Sequence, residues 1–172
     1  MRSLKIAFTV LLCCCFVNYS NAQAKKAASE APSKAPYKAM YTSSFAMGKK
    51  AQADIVLNLW KDWDDNAFDR HDYFADTIKL ILSDSMVIKG KADAIEGAKK
   101  YRGAMSSCKS VVHAWIPLHS TDKNEDMVCI WGTETDTYPD GRVETKDLHE
   151  VWWFNKAGKV SSMRQWTAKF AE

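Results

Sequence analysis

Glycine and proline are scarce in this chain, 7 and 4 of 172 residues, which excludes collagen-like repeats and Pro/Gly-rich disorder. An excess of one charge is also missing: 24 Lys and Arg stand against 21 Asp and Glu, for a net charge of +3. That near balance gives no strong basic field, so no nucleic-acid partner is expected. The sequence has no Walker loop, dinucleotide fingerprint, G-x-S-x-G elbow or zinc motif, and no cofactor is called for. Apolar runs are short as well. The longest falls well below the roughly 20 residues that cross a bilayer, so no stable membrane anchor is expected.

That run sits at the start. Arg2 and Lys5 supply positive charge, Ile6 to Val17 is almost uninterrupted apolar, and Ser20 and Ala22 place small residues at the −3 and −1 positions of a cleavage site. A lipidated cysteine among Cys13–Cys15 would want a small residue before it, and Leu12, Cys13 and Cys14 stand there instead. Residues 1–22 therefore read as a signal peptide, and the protein as exported, periplasmic or secreted after cleavage near Ala22. Cleavage removes two basic residues and no acid, lowering the net charge from +3 to +1, and leaves Cys108 and Cys129 as the remaining thiols. Two thiols are too few for a disulfide framework or a zinc site, which needs three or four ligands, and no metal is expected.

Residues 23–45, rich in Ala, Lys, Ser and Pro, read as a flexible spacer. A single domain is expected over 46–172. Ile55, Leu59 and Trp63, with Val56 and Trp60 beside them, predict a helix over Lys49–Asp65. Ala67 to Phe74 reads as one or two further helical turns. Thr77 to Leu82 alternates as a strand, Met86 to Ile88 is a second short strand, and Lys91 to Met105 returns to helical spacing. Four strands follow, Val111–Leu118, Met127–Tyr138, Val143–Phe154 and Val160–Phe170, separated by polar turns such as Pro139-Asp140-Gly141. Helices first and an antiparallel meander after them give an α+β fold.

Three stretches carry a resemblance: Tyr73-Phe74-Ala75-Asp76 before the first strand, Ile88-Lys89-Gly90-Lys91-Ala92-Asp93-Ala94-Ile95 at the second long helix, and Phe154-Asn155-Lys156-Ala157-Gly158-Lys159-Val160 before the last strand. In order and spacing they are similar to the nuclear transport factor 2-like superfamily, in its SnoaL-like and ketosteroid-isomerase-like branch. The resemblance implies a cone-shaped fold, with N-terminal helices packed on a strongly curved, mostly antiparallel sheet, often as a homodimer. Members include isomerases, cyclases, dehydratases and noncatalytic binding modules, so fold alone does not assign function. The Asp base and the Tyr and protonated Asp donors of ketosteroid isomerases do not map residue by residue onto this chain.

Centring the hairpins on their turns predicts two transverse rows on one sheet face: Trp115, Trp131, His149 and Arg164, then His113, Thr133, Asp147 and Trp166. The opposite face is expected to carry Ala114, Ile116, Val128, Ile130, Gly132, Leu148, Trp152 and Met163, interrupted by Glu134, Lys146 and Glu150. The aromatic and polar face suits a pocket under the helices, and the other suits a dimer interface. In the same register Cys129 faces Pro117, too far from Cys108 for a disulfide.

His149 is the first candidate base or acid, tuned by Asp147 or Arg164. Asp76 is a second, matching an acidic family position and able to point into the cone, where burial would raise its pKa. Trp60, Tyr73, His113, Trp115, Trp131, Asp147, Arg164 and Trp166 are the expected lining for a small hydrophobic or aromatic ligand. His71 and His119 are expected at the surface, and the acidic run Asp62, Asp64, Asp65 at a solvated helix end. The chain thus reads as an exported ligand-binding protein, with cofactor-free proton transfer beside a carbonyl as its candidate chemistry. The alternative is a noncatalytic dimerisation or interaction module with a filled cone.

Overall fold

The computed structural model describes residues 36–169. The leader and most of the spacer lie outside the described residues. Two units divide the chain, Met1–Lys38 and Ala39–Glu172; of the first only 36–38 are described, and they are irregular.

In the second unit the elements are β1 (Phe45–Met47), α1 (Lys50–Asp64), β2 (Phe74–Ile81), β3 (Val87–Lys89), α2 (Lys91–Gly103), β4 (Ser107–Ser120), β5 (Glu125–Thr137), β6 (Val143–Phe154) and β7 (Val160–Lys169). The strands form one seven-stranded sheet in the order β1-β4-β5-β6-β7-β2-β3, antiparallel except where β2 runs parallel to β7. Two helices packed on a large, unclosed, mostly antiparallel sheet make the α+β architecture that the sequence predicts.

Helix α1 buries Gln52, Ala53, Val56, Leu59, Trp60 and Asp62, so its inward stripe runs through Val56 and Trp60, with Ile55 and Trp63 on its shoulder. That stripe meets Val128, Ile130, Leu148 and Trp152 from β5 and β6, and Phe68, Phe74, Ile78 and Val160 complete the core. Helix α2 buries Ala94, with Ile95 and Ala98 packed against the same core. Gly90 precedes α2 with φ of 93°, a conformation that costs an L side chain strain and glycine little.

Two local expectations differ from what forms. Residues 66–73 hold turns and bends, not helical turns. Asn66 leaves α1 with φ of 56°, and the Asp62 carboxylate then binds Arg70 and His71 in place of further backbone ladder bonds. Phe45, at the end of the expected spacer, begins β1 and pairs with Ser120 on the edge of the sheet.

Candidate functional site

Register decides what each face presents. Trp131 lies opposite His149 and Thr133 opposite Asp147, as the turns predict. Two irregularities move the rest. A bulge between Val112 and Ala114 sets Ala114, not Trp115, opposite Trp131, and pairs Trp115 with Ile130. A second, between Trp153 and Phe154, sets Trp166 opposite His149 and Arg164 opposite Val151. Trp115 therefore leaves the expected row for the other face, while Ala114 and Ile116 take the opposite exchange. Arg164 and Trp166 keep their face and each shifts by one row, Trp166 into the row of His149 and Arg164 into that of Val151, while Ala168 lies opposite Asp147.

The larger correction concerns which face lies beneath the helices. Trp60 of α1 donates its indole N–H to Glu150 at 2.7 Å, and a Cβ on Gly132 would stand 2.6 Å from the Trp60 ring. The face carrying Val128, Ile130, Gly132, Leu148, Glu150 and Trp152 is thus the helix side. Trp131, His149 and Trp166 stand on the far side, where Trp131 and Trp166 remain 37% and 42% exposed. The reason is volume: α1 already supplies Trp60 and Trp63, and small Gly132 and branched aliphatics are what fit against them.

On the far side the three rings stack. His149 lies 4.9 Å from Trp131 at 14° and 5.2 Å from Trp166 at 26°, with the Arg164 guanidinium 5.2 Å from the Trp166 ring. Burial between the indoles lowers the His149 pKa, and its Nε2 is buried without a partner. Beside this row Thr133 donates to Asp147 at 3.0 Å and leaves its lone pairs to His113 Nε2, also at 3.0 Å. His113 and Asp147 are therefore bridged, not directly paired. Trp60 is on the helix side, Tyr73 stacks on His71 at 4.9 Å, and Asp76 is exposed beside a depression of about 500 Å³ formed with Lys89, Gly90, Lys91, Ala92, Asp93 and Ile95. A carboxylate there is solvated, contrary to the expected burial of Asp76 in the cone.

The helix side holds the convergent charge. Lys146 Nζ bridges Glu134 Oε1 at 2.6 Å and Asp136 Oδ2 at 2.8 Å. Glu134, Asp136 and Glu150 are all buried. Burial pushes the Glu134 carboxyl up, against the pull of Lys146. Burial also works to lower the Lys146 ammonium, yet the carboxylates outweigh it and hold its pKa above the ordinary value. Glu150 accepts from Trp60 and Trp152 on Oε2 and from Gln165 on Oε1, while its complete burial still raises its pKa. Cys108 lies opposite Asp136 and its thiol is pushed far up, first by burial and then by Glu134 and Asp136. Both Cys108 and Cys129 are free thiols, and the bulge places Cys129 opposite Ile116, not Pro117.

Sequence reasoning registered Glu134, Lys146 and Glu150 only as interruptions of an aliphatic face. The signal was present: Glu134-x-Asp136 and Lys146-x-x-x-Glu150 put opposite charges on one side of two adjacent strands, in line with the apolar Val128, Ile130, Leu148 and Trp152. The acidic run and the two outlying histidines are also more internal than expected. Asp62 is buried against Arg70 and His71, Asp64 holds Ser110 through both its backbone and hydroxyl, and His119 Nδ1 lies 2.7 Å from Asp126.

No family model matches the sequence, and no curated protein is significantly similar to it. Solved structures do match. An NTF2-like protein of unknown function from Exiguobacterium sp. 255-15 covers 69% of this chain with 99% of its own, at 20% identity and a TM-score of 0.56. The fold is NTF2-like. A candidate SnoaL-like polyketide cyclase from Jannaschia sp. CCS1 shares this NTF2-like fold at 15% identity and a TM-score of 0.57, with 69% and 86% of the two chains covered. The epoxide hydrolase/cyclase-like enzyme SalBIII of pyran ring formation in the polyether salinomycin matches at 15% identity and 0.52, over 69% and 92%. In NTF2-like terms, the buried Glu134–Asp136–Lys146–Glu150 group occupies the interior side of the cone wall and the aromatic row its outer side.

Proposed function

We propose that this chain is an exported small-molecule-binding protein of the SnoaL-like kind, a homodimer that takes its ligand on the helix side of the sheet. The observation that carries the reading is the buried ionic group of Glu134, Asp136 and Lys146. Packing does not require it, because buried ion pairs replaced by apolar residues of similar volume commonly leave stability unchanged or higher. Charge kept in such a place suits chemistry on a ligand. Glu134, with its raised pKa, is suited to shuttle a proton beside a carbonyl, and the Lys146 ammonium to hold the oxygen on which negative charge grows. No cofactor is needed for that step. The cyclase descriptions of neighbours in this fold support a small-molecule ligand.

The outer row of Trp131, His149 and Trp166 is assigned to a second copy. Trp131 and Trp166 stack on His149 and stay partly exposed, which suits a dimer interface better than turnover at His149. Export rests on the leader, and Edman sequencing of the native protein should begin at Gln23.

Native mass spectrometry of the purified protein tests the ligand reading. A dimer with a co-purified small mass, or one acquired from a panel of aromatic ketones and lost in Glu134→Gln and Lys146→Met, supports it. A folded wild-type dimer that binds nothing favours the noncatalytic module. One specific observation speaks for that second reading: Trp60, Phe68, Phe74 and Trp152 already pack together between α1 and the sheet.

A further inference from the structure

We infer that Cys108, Glu134 and Asp136 form a binding site for one divalent transition-metal ion of the zinc class, on the helix side of β4 and β5. One ligand atom from each lies within 4.8 Å of the other two, and all three residues are buried. Cys108 and Asp136 arise from directly paired positions, and Glu134 stands two residues along the same strand on the same face. The second observation is independent of that grouping. Asp136 has 0% exposure, and while its Oδ2 takes Lys146, its Oδ1 has no hydrogen-bond partner. A bare carboxylate oxygen in a closed interior is rare and calls for a cation or donor.

Charge and donor chemistry select the class of ion. Two buried carboxylates face one ammonium, leaving surplus negative charge. A divalent ion held by both carboxylates and by the Cys108 sulfur, whose proton leaves to solvent on coordination, balances those charges, and the Asp64 carboxylate, with Oδ1 3.7 Å from that sulfur, adds further negative potential for a cation. One thiolate with two carboxylates is a mixed donor set: calcium and magnesium prefer all-oxygen sites, and cuprous ion prefers sulfur. Zinc accepts both at about 2.3 Å to sulfur and 2.0–2.2 Å to oxygen, which puts tetrahedral ligand pairs roughly 3.5 Å apart. The side chains must close by about 1 Å from their present spacing. Lys146 then remains on the outer edge of both carboxylates and orients them. Three protein ligands leave the fourth position open to water or to another group. The inference goes beyond the small-molecule reading and competes with it for Glu134, because a carboxylate bound to the ion no longer carries the proton; a filled cone can hold such an ion.

The test uses the purified protein, stripped with chelator and titrated with Co²⁺ and then Zn²⁺. One Co²⁺ per chain should bind with a thiolate-to-cobalt charge-transfer absorption that Zn²⁺ displaces. Cys108→Ser should abolish that absorption and weaken binding at least tenfold, Asp136→Asn should weaken it at least tenfold, and Cys129→Ser should change neither. Absence of stoichiometric Co²⁺, an absorption that survives Cys108→Ser, or affinity unchanged by Asp136→Asn overturns the site. Circular dichroism establishes that the variants fold. Should they not, the wild type alone decides: its Tm should climb with Zn²⁺ concentration, as binding to the folded state requires, and a flat Tm sinks the inference.

Discussion

Glu150 shows what one buried residue can hold together. Three N–H groups, from Trp60, Trp152 and Gln165, end on its carboxylate, tying α1, β6 and β7 to a single side chain. Each orphaned buried donor costs about 1–3 kcal/mol, so Glu150→Ala should lower the unfolding free energy by roughly 3 kcal/mol or more in a denaturant titration. Glu150→Gln keeps an acceptor oxygen and should lose less. Asp126 makes the corresponding point for pH. Burial alone would raise its pKa, but hydrogen bonds from Lys49, Gln52 and His119 outweigh that and hold it down at about 2, below the usual 3.8. Its contribution is therefore present above the unfolded value and lost as pH falls from about 4 toward 2. Asp126→Asn should flatten that limb of the stability–pH curve, and a limb of unchanged steepness would refute the assignment. This residue was legible only as a turn-adjacent acid. Its partners Lys49 and Gln52 lie more than seventy positions away in sequence, and no local spacing reveals such a pairing.

At the scale of elements, alternation and turn chemistry located nearly every strand. Val143–Phe154 has the ends that its alternation and flanking turns predict, and the Trp131–His149 pairing follows from the Pro139-Asp140-Gly141 turn alone. The bulge near His113 was not legible, because β4 carries apolar residues on both faces there, Val111 and Val112 before it and Ala114 and Trp115 after it, so the change of phase leaves no visible break in the pattern. It is also what moves Trp115 across the sheet. Gly132 belongs to the same device: it lies opposite Val112, beside the bulge, and a Cβ there would meet the Trp60 ring and the Val111 carbonyl oxygen at 2.6 Å. Gly132→Ala must push α1 away from the sheet or shift β4. Overpacking of this kind costs about 1–3 kcal/mol, so thermal unfolding should show a clear fall in Tm, whereas Gly103→Ala, with open space around its Cβ position, should show little change.

For the whole molecule, the outer face is the feature that one chain leaves unfinished. Trp131, Trp166 and Val111 are exposed on the face away from the helices, and contiguous exposed aromatics mark an interface. For the homodimer proposed above, Trp131→Glu should convert dimer to monomer in sedimentation while the far-ultraviolet circular dichroism stays unchanged. A dimer that persists would move the interface elsewhere. His149 adds a pH dependence to stability. Burial within one chain lowers its pKa from 6.5, so the unfolded state takes up the proton first as pH falls. The unfolding free energy should therefore drop as the solution is acidified through and below that value, and His149→Phe should remove the effect in denaturant titrations across that range.

The sequence by itself determined the class of fold, the order of the two long helices and of the strands from β2 onward, the face-sharing of Trp131, His149 and Trp166, and the separation of the two thiols. These follow from periodicity and turns, which are local properties of the chain. Only the tertiary structure decided which face the helices cover. Both faces carry apolar and polar residues in similar measure, and the choice was made by shape: Trp60 needs the gap at Gly132 and an acceptor in Glu150, and both lie on the same side. That choice carried Glu134, Asp136 and Lys146 toward the interior and left the tryptophan row outside, because alternate residues of a strand share a face and these sit two apart on paired strands.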